Sequence, residues 1–191
     1  MRIFLKLKHW QLFVLMFVIP CGLQIVNICF MIFERSMYFF SILFPLTMLI
    51  YISAFFGWLY SIGINLHKKL PETVPMKSGR FKAFLCIPVI YITLIILTLC
   101  MVLINHPNAW QPDSTTAPLI FFTILPIHLF SIFCIFYCLY FVAKSLKAVE
   151  VQKPVTFSDY AGEFFLLWFF FIGVWFIQPR INKILGDTGQ L

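Results

Sequence analysis

The sequence predicts an all-α integral membrane protein with four transmembrane helices and a short aromatic C-terminal segment. Of its 191 residues, 62% are hydrophobic and 11% are charged, and the mean hydropathy is +0.96. A soluble domain is about one-quarter charged. Four uncharged stretches each exceed the ~20 residues with which an α-helix crosses a bilayer. The short polar and apolar alternation typical of a transmembrane β-barrel does not occur.

The four predicted spans are residues 10–33, 38–66, 83–104 and 118–143, and residues 1–191 are expected to form a single membrane domain. The basic segment MRIFLKLK before the first span resembles the start of a signal peptide. However, no small-x-small cleavage site follows it, and the apolar run is too long, so we expect an uncleaved helix. The fourth helix should continue beyond the bilayer as an amphipathic extension and end before Pro154.

The second and fourth helices have similar sequences. FFSILFPLTMLIYISAFFGWLY begins at Phe39, and FFTILPIHLFSIFCIFYCLYF begins at Phe121. Both open with two Phe, a hydroxyl residue, Ile-Leu and then Pro, although one residue is inserted before Pro45 relative to Pro126. The similarity suggests two duplicated hairpins in parallel orientation, as occur among transporters. Chance resemblance between two Phe-rich helices is the alternative.

The distribution of basic residues predicts the orientation. Two connections lie on one side of the membrane: the turn after the first helix, which contains Arg35, and the connection NHPNAWQPDSTTAP, which has no Lys or Arg. Eleven basic residues lie on the opposite side: Arg2, Lys6, Lys8, Lys68, Lys69, Lys77, Arg80, Lys82, Lys144, Lys147 and Lys153. The positive-inside rule therefore places the N-terminus in the cytoplasm. Because these residues flank the spans, we expect them to contact anionic lipid headgroups and not nucleic acid.

The C-terminal membrane-associated segment, residues 162–178, is shorter than a typical membrane span. Sixteen residues separate Glu163 from Arg180, and at 1.5 Å per residue they cover about 24 Å, less than the ~30 Å core. Crossing would also move Arg180 and Lys183 to the outer side. We therefore favour a re-entrant or interfacial segment, with Gly173 and Pro179 as places to bend or stop, over a short fifth span.

Five polar residues within the spans form a candidate polar layer. By the 1.5 Å rise per residue, Gln24, Asn27, Thr47, Thr98 and His128 all fall in the outer half of the membrane, one or two on each helix. Embedded polar groups are costly unless they are paired. They are either interhelical hydrogen bonds that hold the bundle together or a small polar site that opens outward.

We expect no cofactor, metal or catalytic centre. The four spans contain no Asp, Glu, Lys or Arg, and no other histidine lies at the depth of His128 to complete a bis-histidine haem site. Cys134 and Cys138 are one turn apart, a spacing that suits a soft metal but also plain packing. Asp159 and Glu163 are candidate acids for chemistry at the headgroup level. An acid in the first turn of a helix is alternatively explained by its favourable interaction with the helix dipole.

Two segments, GEFFLLWFFFIGVWFIQPRINK and YFVAKSLKAVE, resemble uncharacterised small multi-pass membrane proteins of bacteria. The resemblance covers about a quarter of the chain and implies a bacterial inner membrane but no activity. In those proteins a proline often stands where this chain has Phe171. That proline would imply a broken helix, and this chain lacks it.

From the sequence we expect a non-enzymatic accessory or regulatory subunit in the cell membrane, with both termini in the cytoplasm. It would contact the lipid bilayer and a membrane-protein partner or further copies of itself. The alternative is a small transporter or channel-like protein that uses the polar layer. An enzyme that acts at the headgroup level through Asp159 and Glu163 ranks third.

Overall fold

The computed structural model describes residues 3–34, 37–105 and 116–186, and in these residues every regular element is a helix. The helices are α1 (Ile3–Lys6), α2 (His9–Phe13), α3 (Ile19–Glu34), α4 (Met37–His67), α5 (Ser78–Asn105), α6 (Thr116–Val151), α7 (Phe157–Trp168) and α8 (Phe170–Gly186), with a π-helical turn at Val14–Val18 between α2 and α3. Arg35 and most of the connection without basic residues lie outside the described residues.

Four helical segments are long and apolar enough to cross a membrane: His9–Phe33, Phe40–His67, Ser78–Val102 and Phe121–Val151. The predicted fold class is therefore confirmed, and the protein is a membrane protein. The helices extend past several predicted boundaries because the helical conformation continues into polar residues. In particular, α6 runs eight residues beyond position 143 and ends at Val151, before Pro154, as the amphipathic extension predicts.

The first span is not a regular α-helix throughout. Its π turn ends with a hydrogen bond from the Ile19 N–H to the Val14 carbonyl, five residues back. Pro20 follows, and a proline ring clashes with the carbonyl four residues earlier, here that of Met16. The wider turn therefore relieves the strain that Pro20 imposes on the helix. The prolines of α4, α5 and α6 lie inside continuous helices.

Helix α4 is the centre of the bundle. It packs against α3, α5, α6, α8 and the N-terminal helix α1, and α5 also packs against α6. The core lies in the C-terminal half of α4, where its buried side chains meet those of α5, α6 and α8: Trp58, Leu59, Ile62, Leu66, Phe81, Phe141, Leu146, Ile177 and Ile181. The outward faces of α3, α5 and α6 are apolar and exposed, as expected of surfaces that contact lipid.

Helices α7 and α8 form a hairpin, which we call the C-terminal hairpin. Helix α7 runs antiparallel to α6, because Tyr160 lies beside Tyr140 and Trp168 beside Phe136. Helix α8 then follows α4 in the parallel direction. Its first residue, Phe170, contacts Tyr51 and Phe55; its residues Gln178 and Ile184 contact Trp58 and Lys69. The hairpin therefore reaches the middle of the α4 span and returns to the end from which it entered.

A sharp bend at Phe169 separates α7 from α8. Its backbone angles, φ −87° and ψ 56°, are not helical. Gly173 packs directly on the preceding turn, so that an added Cβ would lie 1.7 Å from the Leu166 carbonyl oxygen. The glycine is needed for this close approach of two backbone segments. Pro179 lies inside α8 and does not end it.

Candidate functional site at the base of the C-terminal hairpin

Polar contacts that hold the hairpin against the bundle are concentrated in α8. The first set, the amide cluster, centres on Gln178, which is fully buried. Its Oε1 accepts a hydrogen bond from Trp58 Nε1 at 2.9 Å. Its Nε2 donates to the carbonyls of Phe4 at 3.0 Å and Leu7 at 2.9 Å, and lies 2.9 Å from Asn182 Oδ1. One side chain thus joins α8 to α4 and to the N-terminal helices.

The second set, the charge cluster, consists of Lys147, Glu150, Glu163 and Arg180. The Arg180 guanidinium binds both carboxylate oxygens of Glu150, with Nε at 2.7 Å and Nη2 at 2.5 Å. Its Nη2 also donates to Glu163 Oε1 at 2.7 Å, and Lys147 Nζ lies 3.6 Å from the same oxygen. A bidentate arginine pair is a strong, directional contact. The cluster therefore ties α6, α7 and α8 together.

The pairing fixes the charge states of these groups. Burial by itself raises the pKa of Glu163, but the hydrogen bond from Arg180 and the positive charges of Arg180 and Lys147 outweigh it, so that the pKa lies below its usual value. The hydrogen bond to Glu150 leads the contributions that raise the pKa of Arg180, although its partial burial opposes them. Glu163 is therefore ionised at neutral pH.

Asp159, the second candidate acid, has a local role. Its Oδ2 accepts hydrogen bonds from the backbone N–H and the hydroxyl of Thr156, both at 2.8 Å. These bonds to Thr156 lower the pKa of Asp159. In return, the Asp159 N–H donates to the Thr156 carbonyl at 3.1 Å. A side chain in the first turn that accepts from the N-cap N–H is half of a capping box, and it explains why α7 starts at Phe157. Asp159 and Glu163 lie on successive turns of α7, but only Glu163 is buried.

The five polar-layer residues occupy different environments. Asn27 and Thr47 are buried, and Gln24 is half-buried. Thr47 donates to the Leu43 carbonyl of its own helix at 2.7 Å. Thr98 and His128 are exposed on α5 and α6, and Nδ1 of His128 lies 3.4 Å from the Tyr91 hydroxyl. No hydrogen bond joins any two of the five. Both amide atoms of Asn27 and Oε1 of Gln24 are buried and have no hydrogen-bond partner among the residues that the structure describes.

The amide cluster and the charge cluster together form the hairpin base, and their contacts attach the hairpin to the rest of the bundle. Its charged groups bind each other, and its amides bind backbone carbonyls. Across residues 3–34, 37–105 and 116–186, no group of three or more His, Cys, Asp or Glu side chains could hold a metal ion. Sequence reasoning missed Trp58, Glu150, Gln178 and Asn182 as members of these clusters. Gln178 does carry a signal, since it is an amide directly after an aromatic run.

Comparison with protein-family models, curated proteins and solved structures gives no match to this chain.

Proposed function

We propose that the protein is a non-enzymatic accessory or regulatory subunit that binds a transmembrane partner through the C-terminal hairpin. The observation that carries the proposal is a surface on the hairpin that we call the aromatic face. Its seven large apolar side chains are each exposed by 40% or more: Phe165, Trp168, Phe169, Phe171, Ile172, Trp175 and Phe176.

The position of this face favours a protein partner. Trp and Tyr that only anchor a protein lie at the membrane interface. Trp168 is instead directly before the bend of the hairpin, which is level with the middle of the α4 span. Aromatic side chains provide large contact areas with few rotatable bonds, and they dominate the energetics of many interfaces. The amide and charge clusters hold the backbone beneath them, which lowers the entropy lost on binding.

Affinity capture from membranes in mild detergent tests the proposal. The double variant Ile172→Ala/Phe176→Ala removes two exposed side chains one turn apart on α8. The matched control, Phe122→Ala/Leu129→Ala, removes an exposed aromatic and an exposed aliphatic side chain from α6. We expect a stoichiometric partner with the wild type and the control, and its loss with the α8 variant. A monomeric wild type without a partner, or equal capture by both variants, would contradict the proposal.

The second candidate function is a small transporter or channel-like protein with a polar site in the outer half of the bundle. The buried, unpartnered amide of Asn27 and the buried Oε1 of Gln24, one turn away on α3, favour it. Gln24→Leu and Asn27→Leu should abolish a transport-dependent growth phenotype at normal expression, whereas Thr98→Val on the exposed surface of α5 should not. Unchanged growth with both α3 variants would exclude this candidate.

We further propose that the end of the bundle with the hairpin base faces the cytoplasm of a bacterium, with the protein in the inner membrane. The eleven basic residues support this orientation through the positive-inside rule, and the resemblance of the C-terminal segments supports the bacterial membrane. Reporter fusions at the two termini should both give cytoplasmic signals. A periplasmic signal at the C-terminus would overturn the orientation.

A further inference from the structure

An apolar groove lies on the side of α4 next to the N-terminal helix α1. It has a volume of about 390 Å³ and is lined by Phe4, Leu15, Leu49, Ile50, Ser53 and Ala54. This volume is within the roughly 300–1,000 Å³ of typical ligand sites. All its lining residues except Phe4 belong to candidate membrane spans. The groove therefore opens toward hydrocarbon and not toward water.

Small residues of α4 create the groove, and the Phe4 ring closes one end of it. Ser53 and Gly57 are four positions apart, a spacing at which two transmembrane helices can pack closely. Here the ring of Phe4 already covers Gly57, because an added Cβ at that glycine would lie 2.9 Å from Phe4 Cε2. A second helix is thus kept away from the Ser53–Gly57 surface. A flexible, thin chain can still enter beside Ala54.

Two unpaired cations stand close to the Phe4 end of the groove in the sequence. Lys6 belongs to the same short helix as Phe4, and Lys8 precedes α2. Both side chains are exposed. Among the described residues, neither ammonium group forms an ion pair with a carboxylate. Lysines immediately beside a membrane span attract the phosphate groups of anionic lipids.

From this juxtaposition we propose that the groove is a binding site for an anionic phospholipid. One acyl chain fills the space beside Leu49, Ser53 and Ala54, and the headgroup phosphate contacts Lys6 and Lys8. The lipid belongs to the leaflet on the side of the hairpin base, since the carbonyls of Phe4 and Leu7 bind Gln178 there. The site lies on α1, the π-helical turn and α4, outside the aromatic face, and the proposal does not rest on a partner for that face.

Native mass spectrometry of the intact protein with added phosphatidylglycerol or phosphatidylcholine tests the headgroup contact. We expect one tightly retained lipid and a preference for phosphatidylglycerol. Lys6→Gln/Lys8→Gln should reduce this preference about 30-fold, because two cations next to an anionic headgroup are removed. The control Lys77→Gln/Lys82→Gln, which removes two exposed lysines at the start of α5, should retain it. An equal effect of both double variants would overturn the assignment of the headgroup.

A phosphatidylglycerol with a photoactivatable acyl chain tests the groove, first in the wild-type protein and then in two variants. Crosslinks should concentrate on the peptide that contains Leu49 to Ala54. Ser53→Phe should suppress them by filling the groove, and Leu94→Phe, at an exposed position of α5, should not. Labels spread evenly over all four spans, or unchanged in Ser53→Phe, would show that only bulk lipid contacts this surface and would overturn the proposal.

Discussion

Replacing Gln178 by leucine should detach the C-terminal hairpin from the bundle without removing apolar contact area. The substitution deletes the hydrogen bonds to Trp58, Phe4 and Leu7. Leu7 O keeps a second donor, Asn182 Nδ2 at 3.2 Å. Among the described residues, the indole N–H of fully buried Trp58 is then left without a partner, and the Phe4 carbonyl loses its bond to α8.

Two independent estimates give the magnitude. A buried group left unpaired costs about 1–3 kcal/mol, so the indole N–H of Trp58 alone gives about 2 kcal/mol. Hydrogen bonds within membrane proteins average about 0.6 kcal/mol, and three of them also give about 2 kcal/mol. A loss of about 2 kcal/mol corresponds to a roughly 30-fold larger population of the detached hairpin.

Hydrogen exchange of the α8 amides in detergent measures this population, since exchange reports local opening. We expect exchange in α8 to become roughly 30-fold faster, while α5 is unaffected. The control, Asn105→Leu, removes an exposed amide whose hydrogen bond, 2.8 Å to Met101 O, stays within its own helix. If α8 in Gln178→Leu exchanged at the wild-type rate, or if Asn105→Leu accelerated it equally, the reasoning about the amide cluster would be wrong.

Two further predictions concern the hairpin. Gly173→Ala should abolish its bend, because a methyl group cannot fit against the Leu166 carbonyl. The control Gly162→Ala should be tolerated, because the space around Gly162 is open. The melting temperatures of the two variants in detergent should therefore differ, and equal values would contradict the packing argument. Lowering the pH should weaken the attachment of the hairpin, because the pKa of Glu163 in the folded protein lies below its ordinary value of 4.5. The stabilisation by ionised Glu163 is complete above pH 4.5 and is lost as the pH falls through the lower pKa of the folded state. Glu163→Gln keeps an amide oxygen that can accept from Arg180 but removes the negative charge, so it should cost about 1 kcal/mol at neutral pH, the difference between a hydrogen bond to a charged group and a neutral one. It should also flatten this part of the pH profile; a profile that still parallels the wild type would show that the charge of Glu163 does not stabilise the hairpin.

The four spans could be predicted because lipid imposes a simple rule on sequence: each crossing segment must be long, apolar and helical. Residues 10–33, 38–66, 83–104 and 118–143 all lie largely within helices of the structure. The return of the hairpin to the side from which it entered could also be predicted from the sequence, because the segment between Glu163 and Arg180 is short and is followed by basic residues. Whether the chain contains duplicated hairpins stays a prediction.

The position of the bend was not accessible from the sequence. Gly173 and Pro179 were the expected places, but the backbone turns at Phe169, an aromatic residue with no special preference for a turn. Gly173 contributes to the bend because its lack of a side chain allows close contact with the Leu166 carbonyl, seven residues earlier. A contact between two helices cannot be predicted before the positions of both helices are known.

The rotation of each helix about its axis could not be predicted from the sequence either. Helical periodicity places Gln24 and Asn27 on one face of α3, but it does not tell which face of α5 or α6 turns inward. With nearly every residue apolar, the contrast between a lipid-facing and a buried side is weak. Thr98 and His128 are exposed on α5 and α6, so the five residues do not share a common buried environment.

The amide cluster also bears on how the molecule is made. Gln178 and Phe4 are 174 positions apart, and synthesis proceeds from the N-terminus, so the Phe4 carbonyl cannot meet this donor until α8 has been translated. Contacts of such long sequence separation form late and slowly. A chain that is interrupted before α8 leaves the apolar surface around Trp58 uncovered, and exposed surface of this kind favours aggregation.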